Sequence, residues 1–180
     1  IRDLGIKAMA LHSLSSCVLF AKPMQMTNGD GRKIDLGLVG QVEKVNAELL
    51  ETLCKSGTIP VIAPVACDKT GGKLNVNADS AAGMVAAALK AEKLVVVSDT
   101  HGIMKDIKDP ESRISSADEK QIEQMIKDGI ITSGMMPKVQ SCITALEGGT
   151  KKTHIIDGRI EHSLLLEIYT DKGIGTQIVK

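Results

Sequence analysis

Apolar, β-branched runs alternate with helix-period segments through most of this chain, and no other feature constrains its fold as much. "TIPVIAPVA" (58–66), "KLVVVSD" (93–99) and "THIID" (153–157) read as strands. Between and around them, "AELLETLCKSG", "ADSAAGMVAAALKA" and the run from "GMMPKV" to Gly148-Gly149 read as helices. Alternation of this kind predicts α/β layers around a mostly parallel sheet.

The remaining signals are local. "GIKAMAL" (5–11) and "SCVLFAKPM" (16–24) read as strands joined by a hairpin or tight loop. "TNGDGRKIDLG" (27–37) is charged and turn-rich, as a surface loop is. Asn46 is placed to cap a helix with Leu49, Leu50, Leu53 and Cys54 on one face, ended by Gly57. "TIPVIAPVA" is expected as one buried strand, and "DKTGGKLNV" turns the chain back. The helix at "ADSAAGMVAAALKA" has side chains so small that a neighbour must approach its backbone closely. "KLVVVSD" is the most apolar strand and is expected at the sheet centre, covered on both faces. Ser116 and Glu119 are spaced as a capping box for a helix with Ile122, Met125 and Ile126 in one stripe, ending at Asp128-Gly129. Pro137 suits a first helical position, which puts Lys138 in the first turn. A short helix, "EHSLLLEIYT", and a strand, "TQIVK", close the chain.

Charge and composition exclude several partners. Twenty-two basic and 22 acidic side chains cancel, so no net field draws the chain to nucleic acid or an anionic membrane. One Tyr and one Phe provide no base-stacking platform. The apolar runs are too short to span a bilayer. Cys17, Cys54, Cys67 and Cys142 are scattered without metal spacing and read as reduced thiols packed as small hydrophobes. The four histidines lack metal spacing as well. The chain opens at "IRDLGIKAMAL" inside a pattern and without Met, so a preceding segment, with any transit peptide, is expected to be missing.

Ligands of such sheets bind beyond the carboxyl ends of the strands. Three loops fit: "NAD" after "KLNV", "DTHG" after "KLVVVS", and "TSGMMPK" before the late helix. A lysine among the unpaired N–H groups of a helix start is unfavourable by itself but suits a multiply charged phosphate. Taken singly, each residue has a plain reading. Lys138 is then a solvated lysine, Asp79 complements a helix dipole, and Asn75 and Asn77 are turn residues. Asp99, following a buried strand, is the hardest to dismiss. No GxSxG, Walker A or GxGxxG pattern is present.

The stretch from "KVNAELLETLCKSGTIPVIAPVACDKTGGKLNVNADSAAGMVAAALKAEKLVVVSDTHGIM" and the ending "DGIITSGMMPKVQSCITALEGGTKKTHIIDGRIEHSLLLEIYTDKGIGTQI" resemble N-acetylglutamate kinases, within the amino acid kinases. The style is that of the arginine-inhibited hexameric branch, whose plant and algal forms bind the PII signalling protein. The resemblance implies a three-layer αβα sandwich with a mostly parallel sheet. Residues 1–66 would be the remainder of an N-terminal acetylglutamate-binding and dimerisation lobe, and residues 67–180 a C-terminal nucleotide-binding lobe. It implies transfer of phosphate from ATP, with Mg2+, to the γ-carboxylate of N-acetyl-L-glutamate in arginine biosynthesis. It further implies a homo-oligomer, inhibition by L-arginine, no nucleic acid or membrane partner, and a cytoplasmic or plastid-stromal location. By that likeness Lys138 stabilises the phosphoryl group in transit, Asp79 holds the catalytic lysines, and Asn75 binds acetylglutamate. Ser98, Asp99, Gly102 and Met104 match the loop at the nucleotide, and Ile130, Ile131 and Thr132 the wall beside it. Glu167 and Gly173 match the arginine site. Without the likeness, Glu167 reads as a solvated surface charge.

Two departures stand out. The family's opening lysine with a glycine pair, and its second glycine-rich loop, do not occur in these residues. Where relatives carry "GLSGKDG", this chain reads "ALHSLSS" (10–16). An alternative reading is therefore a non-catalytic kinase-like subunit that senses nucleotide or serves assembly.

Overall fold

Asn46 accepts the backbone N–H of Leu49 through its side chain at 3.2 Å and starts helix α1, Ala47–Lys55, as its position predicts. In this computed structural model the described residues are 2–13, 16–27, 29–106, 108–170 and 173–180. The expectations for Leu14 and Ser15 in "ALHSLSS", for Asn28, and for Asp171 and Lys172 in the tail lie outside them. The chain divides into two compact units, Ile1–Val85 and Ala86–Lys180.

In the first unit, β1 (Ala8–Leu11) pairs in parallel with β6 (Ile59–Ile62), Ala8 opposite Ile59. Strands β2 (Leu19–Pro23), β5 (Val39–Val45), β8 (Lys73–Val76) and β7 (Val65–Cys67) close into a small barrel. β1 and β2 are therefore not hairpin partners, although they are consecutive. The 27–37 excursion is exposed as expected, yet it carries a two-strand ribbon of β3 (Met26–Thr27) and β4 (Lys33–Ile34). "TIPVIAPVA" is two strands in different sheets rather than one buried strand. Pro64, which has no N–H to donate, sits at the break. Ile59 and Val61 on β6 remain nearly half exposed.

The barrel also corrects the reading of the cysteines. Phe20 of β2 faces Cys67 of β7, and this pairing brings Cys17 to Cys67 across 50 residues of chain. Their Cα atoms are 6.1 Å apart, within disulfide reach, and the two sulfurs are joined. Cys54 and Cys142 are free, the first exposed and the second buried. Helix α2, Ala78–Leu89, begins where "NAD" predicts, with Asn77 Oδ1 accepting the Ser80 N–H at 2.9 Å.

In the second unit the strand order is β10 (Ser116–Asp118), β12 (Thr176–Val179), β11 (Lys152–Asp157), β9 (Lys93–Ser98). The β10–β12 and β11–β9 pairings are parallel and β11–β12 is antiparallel. "KLVVVS" is thus an edge strand of this sheet among the described residues, with Val97 60% exposed. The doubly covered strand is β11, buried from Thr153 to Asp157. Its burial hides in the sequence because Thr153, His154 and Asp157 are polar; Thr153 Oγ1, His154 Nδ1 and the Asp157 carboxylate find partners inside, while His154 Nε2 does not.

Three helices pack on this sheet: α3 (Glu119–Lys127), α4 (Met136–Glu147) and α5 (Ser163–Tyr169). The capping box of α3 is made by Asp118 and Gln121, not Ser116 and Glu119. Ser116 is taken up by β10, which shifts the helix start by two residues. Gly129 follows the Asp128 cap as predicted. α4 starts one residue before Pro137, so the proline is second and Lys138 third, still in the first turn. Its Val139, Cys142, Ala145 and Leu146 are almost wholly buried, and Leu146 alone contributes about 2 kcal/mol. At its end Gly148 lies so close to Ala87 of α2 that a Cβ would stand 2.3 Å from the alanine's. The small-residue helix is approached closely, as its composition requires. Among the described residues no helix is long and apolar enough to cross a membrane.

Candidate functional site

The loop that leaves the C-terminal end of β9 and the turn between α3 and α4 enclose a crevice of about 400 Å3 in the second unit. Ser98, Asp99, Thr100, Gly102, Ile103 and Met104 line one side, and Gly129, Ile130, Thr132, Gly134, Met135 and Lys138 the other. Two of the three loops singled out in the sequence, "DTHG" and "TSGMMPK", therefore build one cavity. Ile131 is buried behind the wall and does not line it.

Each side is fixed differently. Gly102 has φ +94°, and a Cβ there would meet Thr176 Oγ1 at 2.6 Å, so only glycine fits without strain. Immediately after it the Ile103 N–H donates to Thr176 Oγ1 at 2.8 Å, while that hydroxyl donates to Ile114 O at 2.6 Å. Arg113 Nη1 donates to Gly175 O, which ties the returning strand to the same turn. On the other side Lys138 is half-buried in the first turn of α4. That turn contains no acidic side chain, and Met135 at the cap gives no side-chain hydrogen bond. The ammonium group thus stands in the turn where the helix dipole is positive, a placement that suits phosphate.

Asn75 and Asp79 belong to the first unit. Asn75 is exposed on β8, and Asp79 is half-buried in the first turn of α2. The neighbouring Asn77 and Ser80 line a separate depression of about 720 Å3, with Lys22, Gln25 and Gln41.

Glu167 is not a surface charge. It is 8% exposed, and its carboxylate accepts His154 Nδ1–H at 2.7 Å, Ile174 N–H at 2.7 Å and Gly175 N–H at 2.9 Å. Burial alone would raise its pKa. The hydrogen bonds from His154, Ile174 and Gly175 together outweigh that and hold it below the usual value. Gly173 immediately precedes the clamped turn.

Four residues beside the crevice were not singled out from the sequence: His101, Asp157, Arg159 and Thr176. Asp157 ends β11 opposite Ser98, is wholly buried, accepts from Arg159, and has its Oδ2 2.9 Å from His101 Nδ1. The Arg159 guanidinium beside it lowers its carboxyl pKa to about 2, against the opposing effect of burial. The signal that drew attention to Asp99, a carboxylate at the end of an apolar strand, applies equally to "HIID".

The model of the amino acid kinase family matches residues 3–157. The acetylglutamate kinase of Moorella thermoacetica is 52% identical over 152 residues, 84% of this chain and 51% of that protein. That of Symbiobacterium thermophilum is 45% identical over 177 residues, 98% of this chain and 60% of its own length. The chain therefore spans about half to three-fifths of the length of these relatives. Among solved structures, N-acetylglutamate synthase from Neisseria gonorrhoeae, complexed with coenzyme A and L-arginine, superposes with a TM-score of 0.81 at 26% identity. It covers 97% of this chain and 38% of that one. Carbamate kinase from Giardia lamblia, bound to AMP-PNP, covers 87% of this chain and 52% of that one, with a TM-score of 0.62 at 17% identity, a likeness of fold alone. The α/β architecture with parallel sheet elements is the one these neighbours share, and with the family model matching most of its length, the chain belongs to the amino acid kinase family.

Proposed function

We propose that these residues form the nucleotide-binding part, with some of the substrate part, of an acetylglutamate kinase, which transfers the γ-phosphoryl group of ATP to the γ-carboxylate of N-acetyl-L-glutamate. The observation that carries this reading is Lys138 in the first turn of α4, facing the Asp99–Met104 loop across one crevice. The similarity to acetylglutamate kinases supports the choice of acceptor. Phosphoryl transfer asks chiefly for positioning and for positive charge around the moving group, and Lys138 with the α4 dipole supplies the charge. Asn75 is the proposed acetylglutamate contact and Asp79 the residue that orients the lysines.

Among the described residues no cluster of three or more His, Cys, Asp or Glu side chains is placed to hold a metal ion. The chemistry present fits a Mg2+ that would enter with the nucleotide, with Asp99 and Asp106 as the carboxylates lining the crevice. Bound so, the ion would neutralise phosphate charge.

Control by L-arginine beside Glu167 and Gly173 belongs to the same proposal, and the L-arginine in the Neisseria synthase supports it. Here the effector would meet a carboxylate already held by His154 and the 174–175 turn.

The deciding experiment is steady-state kinetics of the full-length protein with acetylglutamate and Mg-ATP. Lys138→Met is expected to lower kcat on the order of 10²–10³-fold with little change in the KM for acetylglutamate. A kcat within a few-fold of wild type removes the phosphate role. A wild-type protein that binds Mg-ATP and transfers nothing supports the non-catalytic reading instead.

A further inference from the structure

The most heavily used side chain near the crevice is one that does not line it. Asp157 has a side chain 1% exposed, and its two oxygens take three hydrogen bonds from Arg159 and a close ionic contact with His101. Oδ1 accepts the Arg159 backbone N–H and Arg159 Nε–H, both at 2.9 Å. Oδ2 accepts Arg159 Nη2–H at 2.7 Å and lies 2.9 Å from His101 Nδ1. The carboxylate is buried while Arg159 is 61% and His101 47% exposed, so Asp157 reaches from the core to two side chains at the surface and ties them to β11.

The geometry it fixes is that of the crevice loop. His101 lies at the middle of the 98–104 segment, between Thr100 and Gly102, which both line the crevice. The far end of that segment is held by Ile103 N–H on Thr176, and its near end by β9 pairing with β11. Among the described residues between those two anchors, His101 is the one whose side chain reaches a buried carboxylate, at 2.9 Å. Its own side chain is 47% exposed, so burial does not hold it. Arg159, turned back onto Asp157, feels the charge of Asp99 on the crevice rim.

We propose that Asp157 is a positioning residue for nucleotide binding: through His101 it holds the Asp99–Gly102 segment in the conformation that receives a nucleotide's phosphates. Asp157 does not touch the ligand. Without that ionic contact the segment keeps its two end anchors and loses its central one, so ordering it is left for the ligand to drive, and affinity falls. The inference rests on the nucleotide reading of the crevice and adds the residue that shapes it.

The test titrates Mg-ADP by calorimetry into the full-length protein, wild type against His101→Ala, His101→Gln, Asp157→Asn and the His101→Ala/Asp157→Asn pair, with melting temperatures recorded for each. The expected result is a roughly tenfold weaker Kd for His101→Ala and for Asp157→Asn, and no further loss in the double variant, because contacting residues that act as one unit are non-additive. His101→Gln keeps an N–H donor and is expected to recover most of the affinity. A Kd within twofold of wild type in His101→Ala overturns the positioning role while leaving the nucleotide site intact. Multiplicative losses in the double variant overturn it too, since Asp157 would then act by another route. If Asp157→Asn does not fold, the exposed His101 pair decides by itself: rescue by Gln supports the proposal, and equal losses in Ala and Gln sink it. A full-length wild-type protein that binds no Mg-ADP at millimolar concentration removes the nucleotide reading, and this inference with it.

Discussion

Glu167 accepts the Gly175 N–H at 2.9 Å, so the last residue before β12 hangs from the buried carboxylate of α5. Thr176 follows at once and receives the Ile103 N–H of the crevice loop. The turn that Glu167 holds and the loop that shapes the crevice are therefore joined through two consecutive residues.

Removing that carboxylate strands its donors. Glu167→Ala is expected to cost about 3–5 kcal/mol, since His154 and two backbone N–H groups lose their acceptor in a buried setting. Glu167→Gln, which keeps an acceptor oxygen, should cost less. Urea denaturation of the three proteins measures the difference, and equal stability of Ala and wild type would show that the clamp carries no energy.

Gly102 and Gly134 line the same crevice but tolerate substitution differently. Gly102→Ala places a Cβ at positive φ and against Thr176, with an expected cost of about 2–4 kcal/mol and weakened Mg-ADP binding. Gly134→Ala meets no atom within 4 Å and should change neither. Melting curves and nucleotide titrations compare them. Equal behaviour would mean that the 102–103 turn is not fixed by Thr176.

Asp157 makes stability depend on pH in acid. Its folded pKa, about 2, lies below its ordinary 3.8, so the stabilisation is fully present above 3.8 and is lost as pH falls toward 2. Wild type should therefore lose more stability than Asp157→Asn between pH 4 and about 2. Urea midpoints across that range give the slope for each, and parallel slopes would refute the assignment.

The cysteines divide by geometry. Unfolded without reductant, the chain should titrate two thiols, those of Cys54 and Cys142, and after reduction all four. In the native state only the exposed Cys54 should react quickly. Four thiols before reduction would mean that Cys17 and Cys67 are not joined.

Short-range chemistry controls everything about this fold that is legible along the chain. The strand–helix alternation, the Asn46 cap, the Asp128-Gly129 stop and Lys138 in the first turn of α4 all follow from propensities and bonds spanning a few residues. The crevice side of the site was legible for the same reason: Asp99 and Lys138 each sit at an element end that the local pattern marks. Tertiary structure decided everything that depends on which distant segment arrives. An apolar run such as "KLVVVS" reports that it is suited to burial, but which strands flank it is set by pairing across 50 residues or more, and β11, with polar residues at its buried positions, took the doubly covered place. His101 meets Asp157 and Cys17 meets Cys67 only because strand pairing brings them together, Glu167 meets Gly175 only because the chain folds back after α5, and these contacts leave no periodic mark in the chain.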